Sequence, residues 1–474
     1  MRIAIIGGGI TGLAAAHRLT ELRSEKKLPL EVILLEGSGR VGGTIATRHL
    51  DGFIIEEGPD SFITTKPWAL SLCRRIGLDP YLISTNDKYR RTFVVHNGRL
   101  IPIPEGFIMI APSRLLPFLT SPLFSWRGKS RMLLDLIIPR APRREDESLA
   151  SFVTRRLGRE ALERAAQPLV GGVYTADPER LSLRATMPRF LEMEEKYGSI
   201  IRAMIIEQRG ARRGQNNKDS GARYSLFMSF KDGMQTLVDA VSARMPEGTI
   251  RLNQYVRALS KTRDIWSILM DNGAQLYVDG VIIATSAYQA APLLEEFDPS
   301  LASDLRRIEY SSSAVISLAY KRDDVPHPLD GFGFVVPVVE KRPIIACSFS
   351  SVKFAGRAPE RCVLLRCFVG GALQPEVYKW DDYTLIGAMC KEMRSLIGIK
   401  AQPIFALVHR HPQSMPQYPV GHLDQVSRIN DKVKRHRGLA IAGNAYGGIG
   451  ISDCIHSGES VAEAAVNDIG RYSN

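Results

Sequence analysis

Three glycines and one acid are the residues whose types and spacing most directly imply chemistry. Gly7-Gly8-Gly9-Ile10-Thr11-Gly12 matches G-x-G-x-x-G at Gly7, Gly9 and Gly12, and Glu36 follows Gly12 by 24 residues. Such a turn holds a pyrophosphate. The first glycine permits a tight strand-to-helix turn, the second admits the phosphates close to the backbone, and the third lets helix and strand pack closely. The helix start then aims unpaired N–H groups at the phosphate oxygens. A carboxylate at Glu36 is placed to accept hydrogen bonds from an adenosine ribose.

These residues need particular elements to position them. RIAII at 2–6 is a run of apolar β-formers and reads as a buried parallel strand; the residues after Gly12 continue with helical periodicity. Val32-Ile33-Leu34-Leu35 reads as a second strand ending at Glu36, and the polar insert at 23–29 lengthens the loop before it. A glycine-rich turn beside a surface glutamate is the simpler alternative, but it leaves the order strand, glycines, helix, strand, acid unexplained.

The next residues separate the two common dinucleotides. Gly37-Ser38-Gly39-Arg40-Val41-Gly42-Gly43-Thr44 is a second glycine-rich turn carrying a cation, where a nicotinamide enzyme would usually run on into another helix. This E-x-x-x-R-x-G-G-T pattern resembles the flavoprotein superfamily of amine oxidases, phytoene desaturases and porphyrinogen oxidases, and implies non-covalently bound FAD. In that superfamily a turn like Glu57-Gly58-Pro59-Asp60-Ser61 runs beneath the flavin ring. Near the C-terminus, 439–443 reads as a strand; Gly447-Gly448-Ile449-Gly450-Ile451 and a helix over 456–467 follow. The resemblance implies that this helix start faces the side of the flavin where negative charge develops on reduction. Val256, on a strand expected over 250–259, matches a valine whose backbone meets the adenine.

The middle of the chain narrows the resemblance. Gln167-Pro168-Leu169-Val170-Gly171-Gly172-Val173-Tyr174, His327-Pro328-Leu329-Asp330-Gly331-Phe332-Gly333-Phe334, Val363-Leu364-Leu365-Arg366 and Ser414-Met415-Pro416-Gln417-Tyr418 are similar to the oxygen-dependent porphyrinogen oxidases. The similarity runs over nearly the whole chain and is closest to the soluble bacterial branch, which acts on coproporphyrinogen III. The chain departs from that branch in three places. Ser452 replaces a frequent proline, His411 stands where relatives can carry a tryptophan, and Phe332 adds bulk where relatives are small.

The resemblance implies a six-electron oxidation of coproporphyrinogen III in haem biosynthesis, as three two-electron steps at flavin N5. Dioxygen would reoxidise the flavin and yield hydrogen peroxide. No protein side chain is assigned as catalytic, which agrees with the lack of a nucleophile–base triad or carboxylate pair. The substrate slit should be apolar and flat with cations at its edge. Lys66 is the candidate propionate partner, against a plain surface lysine; Val173, Tyr174, Phe332 and Phe334 are candidate walls, against ordinary core packing.

The remaining features are less specific. The net charge is +12, but the basic residues are scattered and no nucleic-acid-reading motif appears. Residues 101–140 mix Ile, Leu, Phe, Pro and Trp126 with basic residues, which suits a helical cap over the slit and also peripheral contact with an anionic membrane. Residues 209–223 lack apolar periodicity and read as an exposed loop. Neither a signal peptide nor an apolar run of the roughly 18–20 residues a spanning helix needs is evident. The six cysteines form no C-x-x-C pair, and they read as reduced thiols of a cytoplasmic protein. His409 and His411 are the nearest approach to a metal pair, and no metal is expected.

The fold class is therefore α/β plus α+β. An FAD-binding Rossmann-like domain is expected from 1–85, 225–290 and 428–474, with a helical insertion at 86–224 and a mixed or antiparallel sheet at 291–427. In that sheet 314–320, 333–339, 344–349 and 363–369 alternate as strands. Competing readings are protoporphyrinogen IX oxidation, an amine oxidase or carotenoid desaturase, a nucleic-acid-binding protein and a non-catalytic tetrapyrrole carrier.

Overall fold

A computed structural model of the chain describes residues 1–141, 146–214 and 226–470. Five parallel strands form the central sheet, in the order Ile250–Arg251, Glu31–Leu35, Arg2–Ile6, Gly280–Ile283, Leu439–Ile441. Sequence-distant segments thus share one sheet, as expected for a cofactor domain built from separated pieces. Alternation along the strands divides the layers. Ile3, Ile5, Val32 and Leu34 face helices Ile10–Glu25, Gln235–Ser242 and Ile451–Gly470. Ala4, Ile6, Ile33 and Leu35 face an antiparallel meander, Val256–Thr262, Ile265–Met270 and Gln275–Val278. Both faces are covered, so the strands read as continuous apolar runs, and each fully buried Ile or Leu stabilises the fold by roughly 1.5–3 kcal/mol. Helix Ile451–Gly470 lies against helix Ile10–Glu25 so closely that a Cβ on Gly458 would stand 2.2 Å from the Thr11 carbonyl oxygen.

A seven-stranded sheet forms the second layer system, in the order Phe405–Pro416, Tyr310–Lys321, Cys362–Gly370, Ala346–Phe349, Gly333–Val335, Thr92–His96, Arg99–Pro102. It is mixed, because Gly333–Val335 pairs in parallel with Thr92–His96 while its other pairings are antiparallel. Its last two strands come from the span expected to be a helical insertion. They form a hairpin closed by Asn97 and Gly98, both at positive φ (51° and 71°), the conformation an Asn-Gly turn favours.

Beyond the hairpin the insertion becomes helical. Buried Arg156 ties its segments together: its Nε donates to Asp135 at 2.6 Å, and its other N–H groups reach the carbonyls of Ile138 and Gly198. Further boundaries differ from expectation, and the strand expected over 333–339 stops at Val335, ahead of Pro337. The strand expected over 250–259 divides at Asn253, which has φ 55°, so Ile250–Arg251 joins the parallel sheet and Val256 opens the meander. Helix Ile200–Gly214 carries through the start of the expected loop at 209–223, and residues 215–223 of that loop lie outside the described residues. The C-terminal helix begins at Ile451 rather than near 456, which places Ser452 and Asp453 in its first turn.

Candidate active site

The glycines after the first strand meet two different demands. A Cβ on Gly12 would stand 1.9 Å from the Gly7 carbonyl oxygen, so only glycine lets the helix seat here. A Cβ on Gly9 would meet nothing within 4 Å, so the side of the helix start that this Cβ faces is open. No side chain caps that start, and its first turn carries no acid. Ile10 and Thr11 are buried behind it. The backbone N–H groups of this first turn are therefore presented to an anion, as a pyrophosphate requires.

The second glycine turn closes on the first. Gly42 N–H donates to the Gly8 carbonyl at 2.8 Å, and Gly43 lies alongside Gly9. Glu36 accepts from Gly8 N–H at 2.6 Å and from Ser38 N–H at 2.8 Å, which fixes the carboxylate at the mouth of the cradle. Gly37 packs on the Tyr255 ring, and Gln254 N–H donates to the Glu36 carbonyl at 2.8 Å, which brings Val256 to the same edge. Arg40 is exposed, and its guanidinium donates to the carbonyls of Val41, Gly43 and Ile45. It braces the turn that carries Thr44.

The turn at 57–61 is held by His411 and Arg366 from the seven-stranded sheet, by Lys353 from helix Ser350–Lys353 and by Ser229 from strand Phe227–Phe230. A Cβ on Gly58 would stand 1.8 Å from the Thr44 carbonyl oxygen, so this turn lies directly on the glycine cradle. His411 Nε2 donates to the Glu57 carbonyl at 2.8 Å, and Arg366 donates to the Gly58 carbonyl. Burial, with the nearby Arg366 charge, holds His411 below the ordinary imidazole value, so it is neutral at pH 7. Lys353 Nζ bridges both Asp60 oxygens at 2.9 and 3.0 Å, and Arg366 stands 3.5 Å from the same carboxylate. Burial alone would push the Asp60 carboxyl up; the charges of Lys353 and Arg366 and the Ser61 hydroxyl outweigh it and hold it well below the usual range. The Asp60 carbonyl accepts from Ser229 Oγ at 2.8 Å, and Ser229 is in turn held by Arg357. Pro59 stands between the clamped Gly58 carbonyl and the clamped Asp60.

At the C-terminal turn, Tyr418 joins the glycines. Its hydroxyl accepts from Gly448 N–H at 3.0 Å and donates to the Asn444 carbonyl. Gly450 N–H donates to Asp453 Oδ2 at 3.3 Å, flanked by Ile449 and the buried Ile451. Lys66 does not stand free: its Nζ bridges the Asp453 oxygens at 2.7 and 2.8 Å. Tyr174 faces the same group, and burial together with the Asp453 charge pushes its hydroxyl up to about 12. Ser452 is buried, and its hydroxyl donates to the Ile63 carbonyl at 3.2 Å, so the missing proline is replaced by a tether.

A cleft of about 1120 Å³ lies between the helical segment and the seven-stranded sheet. Val173, Phe332 and Phe334 line it together with Phe227, Phe368 and Lys353. Phe334 is only 2% exposed and packs edge-on against Phe349, so it is chiefly a core residue whose edge reaches the cleft. Tyr174 and Lys66 are not among the residues lining this cleft; they gather at Asp453 instead. Lys353, Arg357 and Ser229 went unread in the sequence. Arg366 carried a signal of its own, a single cation inside the apolar strand VLLRCFV.

The chain fits FAD on these grounds: an uncapped helix start beneath open glycines, a fixed carboxylate for the ribose, and a clamped turn beside them. The profile of the family described as flavin containing amine oxidoreductase matches residues 10–466. The coproporphyrinogen III oxidase of Bacillus subtilis (strain 168) is 34% identical over 99% of this chain and 98% of its own length. That of Staphylococcus aureus (strain NCTC 8325 / PS 47) is 32% identical over 98% and 99%. A solved structure from Exiguobacterium sp. 255-15 superimposes with a TM-score of 0.85 at 28% identity, covering 98% of each chain. The chain belongs to the flavin-containing amine oxidoreductase family and is an FAD-dependent oxidoreductase.

Proposed function

We propose that the chain oxidises coproporphyrinogen III to coproporphyrin III, with dioxygen as the final acceptor and hydrogen peroxide as the second product. The observation that carries this reading is the apolar, aromatic-walled cleft whose Lys353 also grips the Asp60 turn of the cofactor site. Bound FAD supplies the two-electron acceptor, and full oxidation of the macrocycle takes three such events. The chain's own residues orient and exclude water. Val173, Phe227 and Phe332 offer flat apolar surface to a macrocycle, and Lys353 and Arg366 fix the turn on which the flavin ring would rest. Lys66 pairs with both Asp453 oxygens outside the residues that line this cleft, and its remaining N–H would meet only a propionate that extends past the cleft wall. Aerobic assay of the purified yellow protein should yield about three peroxides per coproporphyrin, from three two-electron steps. A protein that binds FAD yet forms no porphyrin would refute the reading.

Peripheral membrane contact belongs to the same proposal. Leu116, Trp126 and Ile137 on the helical segment are 74%, 73% and 76% exposed. The basic residues beside them divide: Arg127 and Arg140 are exposed, whereas Lys129 and Arg131 are engaged within the protein. Lys129 is buried, donating to the Leu119 carbonyl and lying over the Trp126 ring, and Arg131 donates to three helix-end carbonyls. Among the described residues no helix is long and apolar enough to cross a membrane. Contact would therefore be apolar first and electrostatic second.

A further inference from the structure

Residues 86–91 run along the cleft. Asn86 N–H donates to the Lys353 carbonyl at 3.0 Å, and Phe332 N–H donates to the Arg91 carbonyl at 2.7 Å. The segment is thus pinned at both ends to residues that line the cleft. Between the pins, Asp87–Tyr89 makes one tight helical turn, fixed by the Asn86 side chain, which accepts from Lys88 N–H. The backbone is held while the side chains stay at the surface. Lys88, Arg90 and Arg91 all line the cleft, and on this segment only Asp87 opposes them.

Their present partners are weakly held. Arg90 pairs with Asp87 and Arg91 with Asp330, and the two arginine side chains are 61% and 66% exposed. Exposed pairs of this kind contribute about 0–1 kcal/mol, so an incoming carboxylate displaces them at small cost. A guanidinium fork also binds a carboxylate through two parallel hydrogen bonds. Lys353, by contrast, is committed to Asp60.

We propose that Arg90 and Arg91, with Lys88, form a carboxylate-recognition rim that engages the propionates of the porphyrinogen. The rim favours a substrate with four carboxylates over one with two. This rests on the porphyrinogen reading above. The test compares wild-type holoenzyme with the Arg90→Gln/Arg91→Gln and Arg90→Lys/Arg91→Lys variants. KM and kcat are measured for coproporphyrinogen III and protoporphyrinogen IX at low and physiological ionic strength. Binding of the stable product coproporphyrin III is followed by fluorescence. The glutamine variant should keep its FAD content and kcat while its KM for coproporphyrinogen III rises about tenfold, equivalent to ~1.4 kcal/mol. KM for protoporphyrinogen IX should rise less, the salt dependence should flatten, and the lysine variant should recover part of the loss. An unchanged KM and product affinity, or an equal rise for both substrates, would overturn the proposal. If the wild type oxidises neither porphyrinogen, the functional reading fails, and product binding to wild type and variant still decides whether the rim holds carboxylates.

Discussion

Lys353→Met removes the cation that holds Asp60 and leaves a side chain of similar length. Lys353 Nζ donates to both carboxylate oxygens at 2.9 and 3.0 Å, and both side chains are 16% exposed. Breaking a buried ion pair from one side costs about 3–5 kcal/mol, because the remaining charge stays desolvated. Arg366 remains 3.5 Å away and the site is not fully dry, so the expected loss is about 2 kcal/mol at pH 7. At roughly 2.1 cal/mol/K per residue, that lowers Tm by ~2 °C in a chain of this size. The pH dependence is the sharper readout. Asp60 has a depressed pKa in the folded protein, so its contribution is fully present above the unfolded carboxylate value near 4 and is lost as pH falls through the folded value. The gap between wild type and variant should be widest near pH 7 and shrink below about pH 4. Asp60→Asn combined with Lys353→Met should cost less than the sum of the single changes. Urea unfolding of the holoprotein across pH, followed by flavin fluorescence, checks this. A variant as stable as wild type at pH 7, or a gap that does not vary with pH, would refute the reasoning.

Gly12→Ala and Gly9→Ala should separate folding from cofactor binding. The first drives a Cβ into the Gly7 carbonyl and should yield little folded protein; the second should fold with a wild-type circular dichroism spectrum yet bind FAD at least about tenfold more weakly, read by equilibrium dialysis. Lys66→Ala should raise KM for coproporphyrinogen III several-fold at unchanged FAD content, and an unchanged KM would leave Lys66 only as the partner of Asp453. Trp126→Ser/Ile137→Ser should abolish co-sedimentation with anionic vesicles, while added salt should weaken wild-type binding only modestly; retention of the variant on vesicles would exclude this face.

The strand–turn–helix that carries the glycines was legible because its signals are local. Gly7 to Gly12, Glu36 and the glycines from Gly37 to Gly43 form one continuous pattern, and each lies where the strand–turn–helix reading put it. The hairpin Thr92–Pro102 was equally local, since Asn97-Gly98 between alternating apolar residues is a strong turn signal, but it was absorbed into a segment read as helical. The clamp on residues 57–61 was not legible in this way. Arg366 meets Gly58 across 308 residues of chain, and Lys66 meets Asp453 across 387. Such pairings depend on how elements far apart in the chain pack together, which short-range periodicity does not encode. Lys66 shows the consequence: its type and place suggested a substrate contact, while its nearest charge is a carboxylate in the first turn of the C-terminal helix.

The most direct test of the central claim is anaerobic mixing of the purified flavoprotein with coproporphyrinogen III, with the oxidised flavin absorbance followed in a stopped-flow instrument. The account predicts that the flavin bleaches within the turnover time, that admitting oxygen restores it with release of peroxide, and that coproporphyrin III accumulates. It also predicts that protoporphyrinogen IX bleaches the flavin more slowly at equal subsaturating concentration. A flavin that stays oxidised with both porphyrinogens would contradict it.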